Sequence, residues 1–471
     1  MDMMLFGPEL FYLGMALVFF CLTLRRQVQV KLDYQIALAL SAIGVLVTGY
    51  CLFQQGDLFF KAYRVDLFSQ IFKFALALGL FLVLMISHNL AQIEERYQAE
   101  FYFFLTTTTI GMMMLVSSVE LLTIYVALEL SSYSLYILVP LRRGDGIDVE
   151  AGIKYLFIGA VSSGFMLFGL SYIFGATGST YLADILPKMS QLVNSPIGII
   201  GVLLAMAGFF FKLSVFPFHF WAPDVYQGGA NQVVTFIATA SKAAAVALLL
   251  RLAVLAQGSG YNFTIALVIL SAVSMTLGNL VAIVQKDFKR MLAYSSIAHA
   301  GVFLMGVLTI TEAGYIGAIY YALAYLVMNF TVFMVLSEVA TDGRDLKIAE
   351  LAGLYRRSPL LMMSLILGIF ALAGVPPSIG FTGKLLIFTS AMKSGYFWLV
   401  LIGAINGTIC LYYYLKVIYA AYFIDDPGLP AITLTLPIRL LNYALAAIII
   451  GFGFCPDRIV ELAKAAAKTL L

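Results

Sequence analysis

The sequence predicts an all-α polytopic membrane protein with about 14 transmembrane helices, and three observations carry that prediction. Of its 471 residues, 62% are hydrophobic and only 11% are charged, against roughly 45–50% and 25% in an ordinary soluble domain. Fourteen apolar stretches recur along the chain, each close to the roughly 20 residues that a helix needs to cross a bilayer. Within each stretch the apolar residues are continuous and do not alternate, which favours helices over a barrel. A water-soluble globular protein is excluded. The net charge of +3 leaves no basic face for nucleic acid and no acidic tail for a cationic partner.

In chain order the segments lie near 5–24, 35–53, 66–87, 100–117, 119–141, 149–175, 196–220 and 231–255, then near 259–284, 289–309, 314–338, 359–390, 396–422 and 437–454. The first has no basic residue before it and Arg25 and Arg26 directly after it. That is the reverse of a cleavable signal peptide, so it should stay as the first helix. The tail from Asp457 to Leu471 repeats lysine at a spacing of four and reads as an amphipathic surface helix. Connections after odd-numbered segments hold fourteen Lys and Arg, whereas the other connections and the tail hold seven. Positive charge collects on the cytoplasmic side, so both termini should face outward. No soluble domain stands at either end, and the chemistry must lie within the membrane. Cys21, Cys51, Cys410 and Cys455 are scattered singly, which gives no thiolate set for an iron–sulfur cluster and no disulfide framework.

Charge at mid-depth is the main functional signal, because an ionisable side chain in a membrane helix is costly. A helix rises about 1.5 Å per residue through a core of about 30 Å, so a residue about ten positions in sits near the midplane. Glu129, Lys212, Lys242, His299 and Lys384 fall there. Lys154 lies only about 9 Å in from the cytoplasmic edge, and Arg251 and Lys416 should snorkel from helix ends. One reading is a set of structural ion pairs. The other is a relay of groups that accept and release protons, favoured because lysines outnumber the single glutamate.

Two proline sites accompany the lysines. Pro217 follows Lys212 by five residues, and Pro376 with Pro377 precedes Lys384. Proline removes a backbone donor, and a loose helix is tolerated at depth only where protein or water meets the freed carbonyls. Either site alone could be a simple kink. Paired interruptions predict broken helices 7 and 12 in two inverted five-helix repeats, segments 4–8 and 9–13. The corresponding division is 1–99 for three amino-terminal helices, 100–256 and 257–424 for the repeats, and 425–471 for the last helix and tail. Gly383 and Lys384 end like a phosphate-binding loop, but Leu385 replaces the required Ser or Thr. His219 and His299 fit a core or relay role better than haem ligation. Tyr412 to Tyr414 read as packing or lipid-facing aromatics.

Several motifs together resemble subunit N of bacterial respiratory complex I: FFFKLSVFPFHFWAPDVYQGG (209–229), SKAAAVALLLR (241–251), QKDFKRMLAYSSIAHAG (285–301) and GVPPSIGFTGKLLIF (374–388), with LELSSYSLYILV (128–139) and EAGIKYL (150–156) before them. The resemblance covers nearly the whole chain in order. Subunits L and M and the Mrp-type antiporters share the Glu and Lys pattern, while DVYQG is similar to subunit N. After Tyr226 the chain has GGANQVV (228–234) where the family shows a Pro-Thr-Pro-like entry, a departure that leaves Lys242 in register.

The resemblance implies an antiporter-like subunit of the membrane arm of NADH:quinone oxidoreductase, multi-pass in the bacterial cytoplasmic (inner) membrane beside subunits of the K and M type. NADH, FMN, iron–sulfur clusters and quinone would sit on partner subunits, with no cofactor on this chain. It implies that Glu129 pairs with Lys212, that Lys242 connects to Lys384 on the outward path, and that Lys154 and His299 are secondary relay groups. Separating Glu129 from Lys212 would push a proton towards Lys242 and Lys384. Moving one charge against 100 mV costs about 2.3 kcal/mol, which quinone reduction elsewhere in the complex would supply. The alternative is a subunit of an Mrp-type sodium/proton antiporter. A third reading, a scaffold that has lost transport, is opposed by the presence of all four relay residues.

Overall fold

The structure is a computed structural model that describes residues 3–143, 147–193, 195–253, 261–424 and 429–470. Its long helices are α1 (Gly7–Thr23), α2 (Val30–Tyr50), α3 (Leu67–Met85), α4 (Gln98–Ser117), α5 (Leu121–Leu138) and α6 (Ile147–Thr177). Next come the short pieces α7 (Pro196–Ala205), α8 (Ala207–Leu213) and α9 (Trp221–Gly228). Helix α10 spans Asn231–Ala253, followed by α11 (Tyr261–Val284), α12 (Phe288–Val307), α13 (Glu312–Val339), α14 (Pro359–Ala373), α15 (Ile379–Lys393), α16 (Phe397–Phe423), α17 (Leu436–Phe454) and α18 (Asp457–Leu470). A small antiparallel hairpin, β1 (Gly56–Leu58) with β2 (Tyr63–Val65), joins α2 to α3 in a register that sets Asp57 opposite Arg64.

Among the described residues, eleven helices are long and apolar enough to cross a membrane, and twelve if the bent pair α7 and α8 is one span. The sequence predicts fourteen, and the difference lies in segments 7, 10 and 12. Segment 7 bends by 44° between α7 and α8. Segment 10 is the 20-residue α12, whose first turn holds Lys289 and Arg290. Segment 12 is split into α14 and α15, each of 15 residues. The expected division after residue 99 falls inside α4, and the divisions at 256/257 and 424/425 reach residues outside those described.

Helices α10 and α13 form the centre. Every residue in the apolar window of α10 is buried, and it packs on α3, α4 and α13. In turn α13 meets α12, α14, α15 and α18. Lipid is as apolar as leucine, so such helices gain by close backbone approach at small residues. At Gly278 of α11 a Cβ would stand 2.6 Å from the Ala298 backbone nitrogen of α12, and at Gly169 of α6 one would stand 2.1 Å from that of Ala205. The tail is the amphipathic helix that its lysine spacing predicts: Ala463, Ala466, Ala467 and Leu470 face the protein against α3 and α13.

Hydrogen bonds hold the loops that aim these helices. Asp66 caps α3 through the Ser69 amide at 2.8 Å, and Glu120, Asp287, Thr311 and Ser378 cap α5, α12, α13 and α15 in the same way, each satisfying a donor that the first turn leaves free. At the GGANQVV departure the Asn231 amide donates to Gln92 Oε1 at 2.7 Å, and Gln232 Nε2 donates to the Asn89 carbonyl at 3.1 Å. The Gln92 side chain and the Asn89 carbonyl, just after segment 3, thus fix the entry to α10.

Candidate functional site

The site begins at the break in segment 7. Helix α8 ends because Ser214 takes a left-handed conformation, φ 63° and ψ 42°. The turn presents the Leu213 carbonyl and the Ser214 hydroxyl to α10, where Lys242 Nζ donates to them at 2.7 and 2.6 Å. The Trp221 indole of α9 covers the same ammonium, with Nζ 5.3 Å from the ring centroid, and is pinned by its own bond to the Phe211 carbonyl at 2.9 Å. A helix carboxyl end carries roughly half a negative charge on its free carbonyls. It therefore holds an ammonium without supplying a carboxylate.

The break in segment 12 uses the same device. Helix α14 ends at Gly374, which is left-handed with φ 84°, and Lys384 Nζ donates to the Leu372 and Ala373 carbonyls at 2.8 and 2.9 Å. The prolines stand after both breaks: Pro217 follows Ser214 by three residues, Pro376 and Pro377 follow Gly374, and all three are exposed. Lys384 lines a cleft of about 250 Å³ with His299, Asn279, Asn406, Cys410 and Tyr413. His299 is hydrogen-bonded through Nδ1 to the Tyr321 hydroxyl at 2.7 Å and through Nε2 to that of Tyr414 at 3.3 Å. Tyr413 donates to Asn279 Oδ1 at 2.9 Å. Tyr413 lines the cleft and Tyr414 bonds to His299, contacts that a reading of the three as packing or lipid-facing aromatics does not assign, while Tyr412 is exposed.

Glu129 and Lys212 are both buried, but no ion pair within 4.0 Å joins them among the described residues. Glu129 instead accepts a short hydrogen bond from Ser163 of α6. Lys212 donates to Ser131 and Ser132 of α5 at 3.0 and 3.1 Å. The hydroxyls hold Lys212 of α8 against α5 two and three residues from Glu129, with serine as the immediate partner of each charge. Lys154 belongs to a different group. Its Nζ meets Asp224 at 2.7 Å and Glu150 at 2.6 Å, Arg290 shares Asp224 at 2.7 Å, and the Lys154 side chain is 42% exposed.

Beside that group, Asp345 joins Lys289 at 2.8 Å and Arg142 at 2.9 Å. Burial opposes ionisation of Asp345, but Lys289 and Arg142 outweigh it and hold the carboxyl below its usual range. A depressed carboxylate pKa gives stability that is present above the unfolded value and lost as pH falls through the folded one. At neutral pH, Asp345→Asn should therefore speed amide exchange across residues 342–346, and the difference from the parent should shrink once pH drops below about 3.9.

Arg251 does not snorkel. It is buried, forks onto Asp66 at 2.9 and 3.0 Å, and donates through Nε to the Val116 carbonyl at 2.8 Å. Glu9 and Lys73 are also paired, at 2.8 Å with both side chains at most 1% exposed. Lys73 sits seven residues into α3 at a depth that would have flagged it. Glu9, three residues into α1, gave no such signal.

The comparisons with known proteins fall on this geometry. Residues 118–410 match the NADH:quinone oxidoreductase/Mrp antiporter transmembrane family. NADH-quinone oxidoreductase subunit N 2 of Syntrophobacter fumaroxidans is 50% identical over 472 residues, covering 100% of both chains. The chain belongs to the subunit N family of respiratory complex I. A chain of respiratory complex I from Thermus thermophilus with bound aureothin is similar in structure, with a TM-score of 0.83 and 31% identity over 98% of this subunit and 100% of that chain. The Mrp complex of Dietzia sp. DQ12-45-1b shares the fold, with a TM-score of 0.84 over 99% and 97% of the two chains at 17% identity. This subunit is thus an antiporter-like, multi-pass member of an oxidoreductase complex, and other membrane-arm subunits are its partners.

Proposed function

We propose that this subunit moves protons across the bacterial inner membrane through Glu129, Lys212, Lys242 and Lys384, with Lys154 and His299 as secondary relay groups, driven by quinone reduction in partner subunits. The observation that carries the reading is the parking of Lys242 and Lys384 on the carboxyl ends of two broken helices. Carbonyl and hydroxyl partners supply no full counter-charge, so each ammonium responds to the charge on its neighbours and can yield its proton when another cation approaches. Serine hydroxyls at Glu129 and Lys212 add groups that both donate and accept.

NADH, FMN, iron–sulfur clusters and quinone belong, in this reading, to other chains of the complex. The singly scattered cysteines support that assignment. Neighbours of the K and M type and termini on the periplasmic side complete it, the latter supported by the distribution of Lys and Arg among the connections.

The test is proton movement and quinone reduction measured together in sealed membrane vesicles that carry the assembled complex with Lys212→Ala. Both activities should fall together. Retention of both, with loss of sodium/proton exchange, would replace this reading with the Mrp-type one.

A further inference from the structure

A second buried ionisable group lies outside the relay, among α1, α3 and β2. Glu9 Oε1 accepts from the Tyr63 hydroxyl at 2.5 Å and meets Lys73 Nζ at 2.8 Å, and the same ammonium lies 5.0 Å from the Tyr63 ring centroid. Glu9, Tyr63 and Lys73 are each at most 1% exposed. The hydroxyl's hydrogen bond and the ammonium's ion pair both fall on one carboxylate oxygen, while Oε2 is buried without a partner. On the adjacent turn of α3, three residues from Lys73 and so on the same face, Gln70 buries an amide whose nitrogen and oxygen both lack partners, and the Ser117 hydroxyl of α4 is buried beside Tyr63.

A pair that served only to fasten α1 to α3 would have its remaining lone pairs and protons satisfied, because each orphan weakens a buried ion pair. Here Oε2 has no partner, and the Gln70 amide, one turn from Lys73 on α3, has none either. Position adds to this. Gly79 of α3 packs on Ala240, two residues before Lys242. Lys73 lies six residues from Gly79, or about 9 Å along α3 towards the face that carries the amino terminus. The Arg251–Asp66 fork adjoins the group, since Arg251 holds the Val116 carbonyl next to Ser117 and Tyr63 bridges Ser118. Cys51 approaches from the end of α2, where a Cβ on Gly7 would meet its sulfur at 3.5 Å.

We propose that Glu9, Tyr63 and Lys73 form a second proton-binding site, set between the central lysines and the amino-terminal face. Glu9 Oε2 takes the proton released when an ammonium of the central relay becomes an amine, converting carboxylate to carboxylic acid while Lys73 and Tyr63 keep their own protons. The same proton then leaves Glu9 to water on the amino-terminal face, restoring the carboxylate. The proposal rests on the proton-translocating reading.

The test is infrared difference spectroscopy of membranes carrying the full complex, recorded as NADH drives turnover, for the parent and for Glu9→Gln. The parent should show a carboxylic-acid band that the variant loses. No band difference between them overturns the proposal, whatever the activity of the variant. If Glu9→Gln fails to assemble, Tyr63→Phe, which removes the hydroxyl and with it the bond to Oε1 and the long contact to the Met113 carbonyl, should shift that band, and an unshifted band overturns it. Lys242→Ala measured alongside separates the two readings. Pumping unchanged by Lys242→Ala sinks the relay itself, whereas pumping lost there with no Glu9 band in the parent sinks only this site.

Discussion

Replacing Lys242 by methionine should lower redox-driven proton movement and quinone reduction together, by about 100-fold. Methionine keeps the length and the apolar stem of the side chain but removes the ammonium that bonds to Leu213 and Ser214 beneath Trp221. Lys242→Arg separates a relay from a structural tie. A guanidinium would still satisfy the Leu213 carbonyl and the indole face, yet it does not release its proton in proteins. If Lys242 only ties α10 to the broken end of α8, arginine should restore most of the activity. If Lys242 carries a proton, arginine should be as inactive as methionine. The measurement is dye-quench proton uptake and quinone reduction in the same vesicles, with assembly checked by native electrophoresis.

The second large effect is on stability. Asp66→Asn should destabilise the subunit by about 3–5 kcal/mol, because it strands a buried guanidinium whose carboxylate partner is gone. Arg251 is 4% exposed and takes both oxygens of Asp66, which also caps α3. Loss should appear as a lower melting temperature and a smaller yield of assembled complex. Arg251→Met should cost a similar amount by leaving Asp66 charged and buried. The double variant Asp66→Leu with Arg251→Met should recover much of the loss on the fork, since an apolar pair of similar volume often replaces a buried ion pair at little cost. The cap at Ser69 would remain unmade, so recovery should stop short by about 1 kcal/mol.

Much of the candidate site was legible in the residues, because membrane depth is a one-dimensional quantity. A fixed rise per residue places Glu129, Lys212, Lys242, His299 and Lys384 near the midplane, and the cost of charge there makes each stand out from an apolar background. Their partners were not legible. Ser131, Ser132, Ser163 and Ser214 are common residues that most often bond back to their own helix, and only the packing of α5, α6, α8 and α10 turns them towards a charge. Tyr321 and Tyr414 look like the other aromatics of α13 and α16 until His299 lies between them. Trp221 is one of only two tryptophans in the chain, yet its place over Lys242 depends on how sharply α9 turns back after the break.

The sequence by itself determined that the chain is helical, that it lives in a membrane and that Glu129, Lys212, Lys242 and His299 are buried within it, because these follow from composition and from distance along one axis. Tertiary structure alone decided which charges meet. Glu129 and Lys212 are held by hydroxyls, Arg251 folds inward onto Asp66, and Glu9 finds Lys73 on a different helix. The physical reason is that ion pairs and hydrogen bonds depend on the rotation and lateral packing of whole helices. Those are fixed by close contacts at small residues such as Gly79, Gly169 and Gly278 and are not encoded by position along a single segment.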